Sequence, residues 1–264
     1  MKFAKYFAFF SAAFKSHFAY RLSAALRFFT SAMVVFVQFS LWKTLTGSGL
    51  RPDVTLADMA AFIAITEVAG ALTRGDFANE LGASIRDGSV IMHFIRPASY
   101  QLYLLSSFMG NNLFRFVSNA VPVVLLCAVT VGLPLPLTMA HLGLFAAFTL
   151  LGILIMFELI YITGLLAFWT QTTWFLSWYV GAFSTFFGGT IVPLWFYPHW
   201  LERLSVYLPF RYISFEGINY YLGKAPLSSA GFSLSMAILW AFFLFLAGQL
   251  VWFAVQRKMT INGG

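Results

Sequence analysis

Two stretches of this chain, residues 116–157 and 159–201, contain no Asp, Glu, Lys or Arg. One helix crosses a bilayer with about 20 apolar residues, so each stretch has length for more than one crossing. The rest of the chain agrees. Of 264 residues 60% are hydrophobic and only 9% charged, where soluble domains carry about 25% charged residues. A soluble fold of this size cannot cover its surface with so few charges. A soluble enzyme, a disordered chain and a disulfide scaffold are excluded. The fold class is an all-α membrane protein.

The net charge of +7 would raise nucleic acid as a partner in a soluble protein. Here it reads as the Lys and Arg that collect in cytoplasmic loops, with membrane lipid as the surroundings. Cys127 is the single cysteine and can form no internal disulfide.

Gly132-Leu133-Pro134-Leu135-Pro136 breaks the first uncharged stretch as a tight turn, and Thr170-Gln171-Thr172-Thr173 breaks the second. The expectation is six transmembrane helices, at 22–46, 56–73, 98–131, 138–168, 172–195 and 229–256, in one membrane domain spanning 1–264. Residues 2–18 differ. Phe3, Phe7, Phe10, Phe14 and Phe18 recur at helical spacing, while Lys2 and Lys5 lie opposite, with Phe9 interrupting that face. This predicts an N-terminal amphipathic helix in the membrane interface. Lys2, Lys5, Lys15, Arg21 and Arg27 interrupt any signal-peptide core, so the segment is expected to be retained. With the N-terminus inside, ten basic residues fall on the cytoplasmic side against five outside, which puts both termini in the cytoplasm.

The loop 74–97, RGDFANELGASIRDGSVIMHFIRP, is the one sizeable charged stretch. Phe77, Leu81 and Ile85 at i, i+4 and i+8 predict a short helix in it, stopped at Gly88. Such a helix is either an ordinary solvated loop element or a docking piece for a soluble partner. The segment 188–224 is too apolar for an aqueous loop, and Pro193, Pro198 and Pro209 prevent one straight helix. Backbone of that kind at membrane depth must pack on protein or line a cavity. It predicts outer re-entrant helices between spans five and six, over 196–224, with Trp200 at headgroup level.

Within the expected spans, Ser107, Asn111, Arg115 and Asn119 form a polar stripe at fourfold spacing, and Glu158 and Glu67 add carboxylates. Intramembrane polar groups are functional candidates. The stripe could line a pathway, contact a second subunit or hold Glu158 in an ion pair. No His/Cys/acid spacing suits a metal, and no serine has a histidine base beside it, so no catalytic residue is assigned. The Gly-x-x-x-x-Gly-Lys-[Ser/Thr] phosphate loop is absent from these residues.

This layout resembles the permease subunits of export-type, type-2 ATP-binding-cassette (ABC) transporters, in the small six-span branch that works beside a separate ATPase. The resemblance rests on Ile85-Arg86-Asp87-Gly88 with Arg96-Pro97, and on Gly189 through Pro193, Pro198-His199-Trp200-Leu201, Leu208-Pro209-Phe210 and Tyr221-Leu222-Gly223-Lys224. Where a proline is expected before the last of these, the chain has Phe215-Glu216-Gly217. The resemblance implies that Phe77, Glu80, Leu81, Ile85, Arg86 and Asp87 couple to a cytoplasmic ATPase dimer, which holds ATP and Mg while this chain binds no cofactor. It also implies a second permease, identical or paralogous, and a place in the plasma or inner membrane. Aromatic richness then favours amphiphilic, aromatic or lipophilic-cation cargo. The alternatives from other classes are a stand-alone ion-coupled carrier or channel, and a non-transporting scaffold.

Overall fold

A computed structural model describes residues 4–47, 54–75, 77–87, 90, 99–130, 132, 135–170 and 174–262. Lys2, Phe3, Asp76, Gly88, Arg96, Pro97, Pro134 and residues 171–173 lie outside the described residues, as do the side chains of Arg21, Arg86 and Lys258.

All regular structure among the described residues is helical. Helix α1 (Ala4–Ser16) leads through a 3-10 turn into α2 (Arg21–Gly47). Helix α3 (Leu56–Thr73) opens on a capping box in which the Thr55 hydroxyl accepts from Asp58 N–H at 3.1 Å and Thr55 N–H donates to Asp58 Oδ2 at 3.0 Å. Then come the short α4 (Phe77–Arg86), the long α5 (Tyr100–Thr130) and α6 (Met139–Leu165). Helices α7 (Trp174–Phe187), α8 (His199–Val206), α9 (Phe215–Tyr221) and α10 (Ala230–Asn262) complete the chain.

Among the described residues, five helical stretches are long and apolar enough to cross a membrane: Leu22–Gly47, Leu56–Ile85, Tyr100–Thr130, Met139–Thr170 and Leu227–Arg257. The remaining expected span, 172–195, holds α7 with 14 residues, about 21 Å at 1.5 Å per residue against roughly 30 Å of hydrocarbon. Hydroxyls inside the long helices are satisfied on their own backbone. Thr30, Ser40, Thr149 and Thr163 each donate to the carbonyl four residues back, at 2.7–2.9 Å.

Helix α6 is the central post. Ile155, Phe157, Tyr161 and Leu165 on it are fully buried, and α4, α9 and α10 all pack on it. Helix α5 carries one π-helical turn at Phe116–Ala120, where Val121 N–H reaches Phe116 O. Pro122 explains the turn. It has no N–H for the Ser118 carbonyl and its ring crowds that group, so the helix widens upstream.

Helix α1 lies along the first half of α5. A Cβ at Gly110 would stand 2.4 Å from the Phe10 carbonyl oxygen, so only glycine allows this approach. Phe9 packs edge-on to Tyr103 at 4.8 Å, and Tyr6 Oη accepts from Ser99 N–H at 3.1 Å. Phe7, on the expected apolar stripe, is 71% exposed.

The segment after α7 folds back into the bundle. Gly189 takes φ +61°, which glycine adopts without strain, and turns the chain at the end of α7. Residues 209–215 then reach the middle of α6. A Cβ at Gly152 would meet Ile213 O at 2.3 Å, and Gly152 lies about 20 Å along the helix from Met139.

Candidate functional site

Helix α4 divides the six residues expected to couple. Leu81 is 3% exposed and its Cδ2 would lie 2.6 Å from a Cβ at Gly164 of α6. Phe77 stacks on Phe157 at 5.4 Å and meets Phe108 edge-on at 5.7 Å. Ile85 is partly buried against the same core. These three anchor α4 to the bundle, so here they face the bundle rather than a partner. Glu80 and Asp87 are exposed, as are Asn79 and Ala83. The result is a short helix with a polar outer face on a rigid apolar seat.

A groove follows α7 along its length. Near α4 a hollow of about 310 Å³ is bordered by Asn79, Trp174 and Ser177. It shares Arg74, Met156, Trp178 and Gly181 with a larger one of about 820 Å³, which continues past Ser184 and Thr185 to Tyr197 and Ser214. One face of α7, with Trp174, Ser177, Trp178, Gly181, Ser184 and Thr185, forms the wall. Sequence reasoning had passed over this face. The signal was present as small and hydroxyl residues at helical spacing, which hydropathy does not register.

The polar stripe on α5 is divided among three neighbours. Asn111 Oδ1 pairs with His17 Nε2 at 3.1 Å, beside α1. Arg115 Nη1 donates to the Arg74 carbonyl at 2.6 Å, and Asn119 Nδ2 donates to Ser31 Oγ at 2.9 Å. Arg115 and Asn119 line a pocket of about 480 Å³ between α2, α3 and α5, together with Arg27, Glu67 and Arg74. Glu158 lies elsewhere and does not join Arg115. It is 5% exposed, and its Oε1 accepts from Gln101 Nε2 at 2.6 Å. Gln101 Oε1 in turn accepts from Gln249 of α10. Oε2 of Glu158 has no hydrogen-bond partner among the described residues.

The segment after α7 is tied by two ion pairs that sequence reasoning had not paired. Arg211 Nε donates to Glu216 Oε2 at 2.7 Å with both residues buried. Arg211 Nη1 also donates to Ser205 Oγ at 3.0 Å, and Glu216 Oε1 accepts from Ser233 Oγ at 2.6 Å. The second pair, Lys224 Nζ to Asp58 Oδ2 at 2.8 Å, ties the segment's end to the start of α3. Pro193, Pro198 and Pro209 each start a short helical turn, and Pro209 is buried. Trp200 is 68% exposed.

The family profile of the ABC-2 family transporter protein matches residues 25–263. This chain belongs to that family. No curated protein matches it. As an ABC-2 transporter protein it is the membrane component of an ABC transporter, a multi-pass permease. The match takes in the chain from the second turn of α2 through α10 and leaves α1 outside. It covers α4, the α7 groove and the segment after α7 alike.

Proposed function

We propose that this chain is the permease subunit of an ABC exporter, and that two copies, identical or paralogous, enclose the pathway. A separate cytoplasmic ATPase dimer binds ATP and Mg and docks on α4. Glu80 and Asp87 lie on the contact face, Arg86 of the same helix takes part in the coupling, and Phe77, Leu81 and Ile85 pass the displacement to α6. In this reading α7 is a sixth, short crossing in the plasma or inner membrane, so both termini are cytoplasmic. The segment 196–224, with Pro198, Trp200 and Pro209 and with Pro193 just before it, re-enters the outer leaflet and completes the thickness that α7 does not reach. Helix α1 lies in the cytoplasmic interface. Cargo moves along the α7 groove.

The observation that carries the reading is α4 itself. An apolar face seated on α6 and a polar face turned outward suit a helix that is pushed by a soluble partner. A stand-alone carrier or a scaffold has no use for that division. The test is purification of the native complex in mild detergent, with mass spectrometry of what accompanies it. An ATPase with a phosphate loop is expected at one copy per permease, and Glu80→Arg is expected to release it without lowering permease yield. Equal ATPase recovery and equal transport in that variant would remove α4 from the coupling path.

A further inference from the structure

The pocket between α2, α3 and α5 combines features that neither the coupling role nor the α7 groove uses. Its volume is about 480 Å³. Among the described residues lining it, three guanidinium groups, Arg27, Arg74 and Arg115, face one carboxylate, Glu67. Glu67 shares this lining with Ser31 and Arg74. Asn119 in turn donates to Ser31, which fixes that wall. Arginine is suited to phosphate because its planar fork donates two parallel hydrogen bonds to adjacent oxygens.

The mouth points to what carries the phosphate. Leu26 lines the pocket and is itself exposed. With Leu22, Phe29 and Met33 it makes an exposed apolar stripe on α2 at helical spacing, running past Arg27 on both sides along the helix. A free anion needs only the guanidinium groups. An amphiphile uses both the charged pocket and the stripe next to it. Basic pockets between membrane helices hold anionic headgroups in this way.

We propose that this pocket binds the anionic headgroup of a membrane phospholipid, with its phosphate among Arg27, Arg74 and Arg115 and an acyl chain along Leu22, Leu26, Phe29 and Met33. The proposal does not depend on the identity of the cargo or on the ATPase. It puts a lipid between the helix that leads out of α1 and the helix that ends at α4.

Native mass spectrometry of the purified complex tests it. Phosphatidylglycerol and phosphatidylcholine with the same acyl chains are titrated in parallel, with inorganic phosphate as a competitor in a third arm. The expected result is preferential retention of phosphatidylglycerol that phosphate does not displace. Arg27→Gln with Arg115→Gln is expected to lower that preference about fivefold for each arginine, and Arg27→Lys to keep most of it. Arg115 also bonds the α3 backbone, so Arg27→Glu alone is the safer variant, and it should abolish the preference. Equal retention of the two lipids, or a preference unchanged in Arg27→Glu, overturns the proposal. Displacement by phosphate assigns the pocket to a free anion and overturns the lipid assignment. Loss of the permease pair at unchanged lipid retention, seen in the same spectra, assigns the arginines to a subunit contact and also overturns it.

Discussion

Removing the Glu216 carboxylate is the most direct test of how the outer segment is held. The pair it forms with Arg211 is buried, with Arg211 at 9% and Glu216 at 3% exposure, and the guanidinium also lies 5.1 Å from the Phe215 ring centre. In Glu216→Ala the guanidinium stays buried with Ser205 but loses its counter-charge, and Ser233 loses its acceptor. Breaking a buried pair on one side costs about 3–5 kcal/mol, because a charge is left uncompensated. Removing both charges is different. Arg211→Met with Glu216→Met gives up the attraction together with the desolvation cost, so it should lie within about 2 kcal/mol of the native protein. The assay is equilibrium unfolding in mixed micelles followed by tryptophan fluorescence, in which Trp195, 5.4 Å from the Phe215 ring, reports locally. A loss below about 1 kcal/mol for Glu216→Ala, the range of solvent-exposed pairs, would refute the reasoning by showing that water reaches the pair.

The second ion pair should behave otherwise. Lys224 and Asp58 are about a quarter exposed, so Lys224→Ala should cost no more than about 1 kcal/mol in the same assay. Gly152→Val should abolish the monodisperse peak on size-exclusion chromatography, because its Cβ would meet Ile213 O at 2.3 Å, whereas Gly143→Ala on the same helix meets nothing within 4 Å and should elute normally. In Gly110→Ala the new Cβ would lie 2.4 Å from the Phe10 carbonyl and should lift α1 from α5, seen as faster proteolysis between residues 4 and 20 with the rest of the chain intact.

Much of this fold was legible because a bilayer imposes one rule on every crossing. Residues 56–73 were expected as a span, and α3 occupies Leu56–Thr73. The short helix at 77–85 was legible for a different reason: a 3.6-residue period stands out against a polar loop. That contrast vanishes where lipid and neighbouring helices are equally apolar. On α1 the regular Phe stripe is partly exposed at Phe7, while Phe9, which interrupts the polar face, is the ring that packs on Tyr103. Hydropathy could not separate a face turned to lipid from one turned to α5. The same blindness hid the grooved face of α7, a helix that the expected span at 172–195 contains; its wall is distinguished by the small size of Ser177, Gly181 and Ser184 rather than by polarity alone. Arg211 and Glu216 escaped because they stand five apart, outside any helical pairing rule. The 3-10 turn at Pro209–Ile213 and the start of α9 bring them together. Glu158 was weighed as a partner for Arg115, yet it meets the neutral Gln101, which Gln249 bonds in turn, and glutamine gives no charge signal to search for.

The two glycine contacts on α6 bear on how a push at one end of the molecule reaches the other. Leu81 of α4 rests on Gly164, and Ile213 of the outer segment rests on Gly152. Twelve residues of continuous helix separate them, about 18 Å. At both points α6 offers backbone rather than a side chain that could swing aside, and close-packed contacts of this kind transmit displacement instead of absorbing it. If a partner moves α4, then α6 must tilt or slide, and residues 209–215 must follow, because Ile213 has no rotamer escape from Gly152. The Arg211–Glu216 pair then decides how far the motion spreads. While it holds, the turn at Pro209–Ile213, α9 and Ser233 at the start of α10 move as one body. At the Phe215-Glu216-Gly217 departure from the expected proline, the Glu216 carboxylate ties Arg211 to Ser233 of α10, a connection that a proline there could not make.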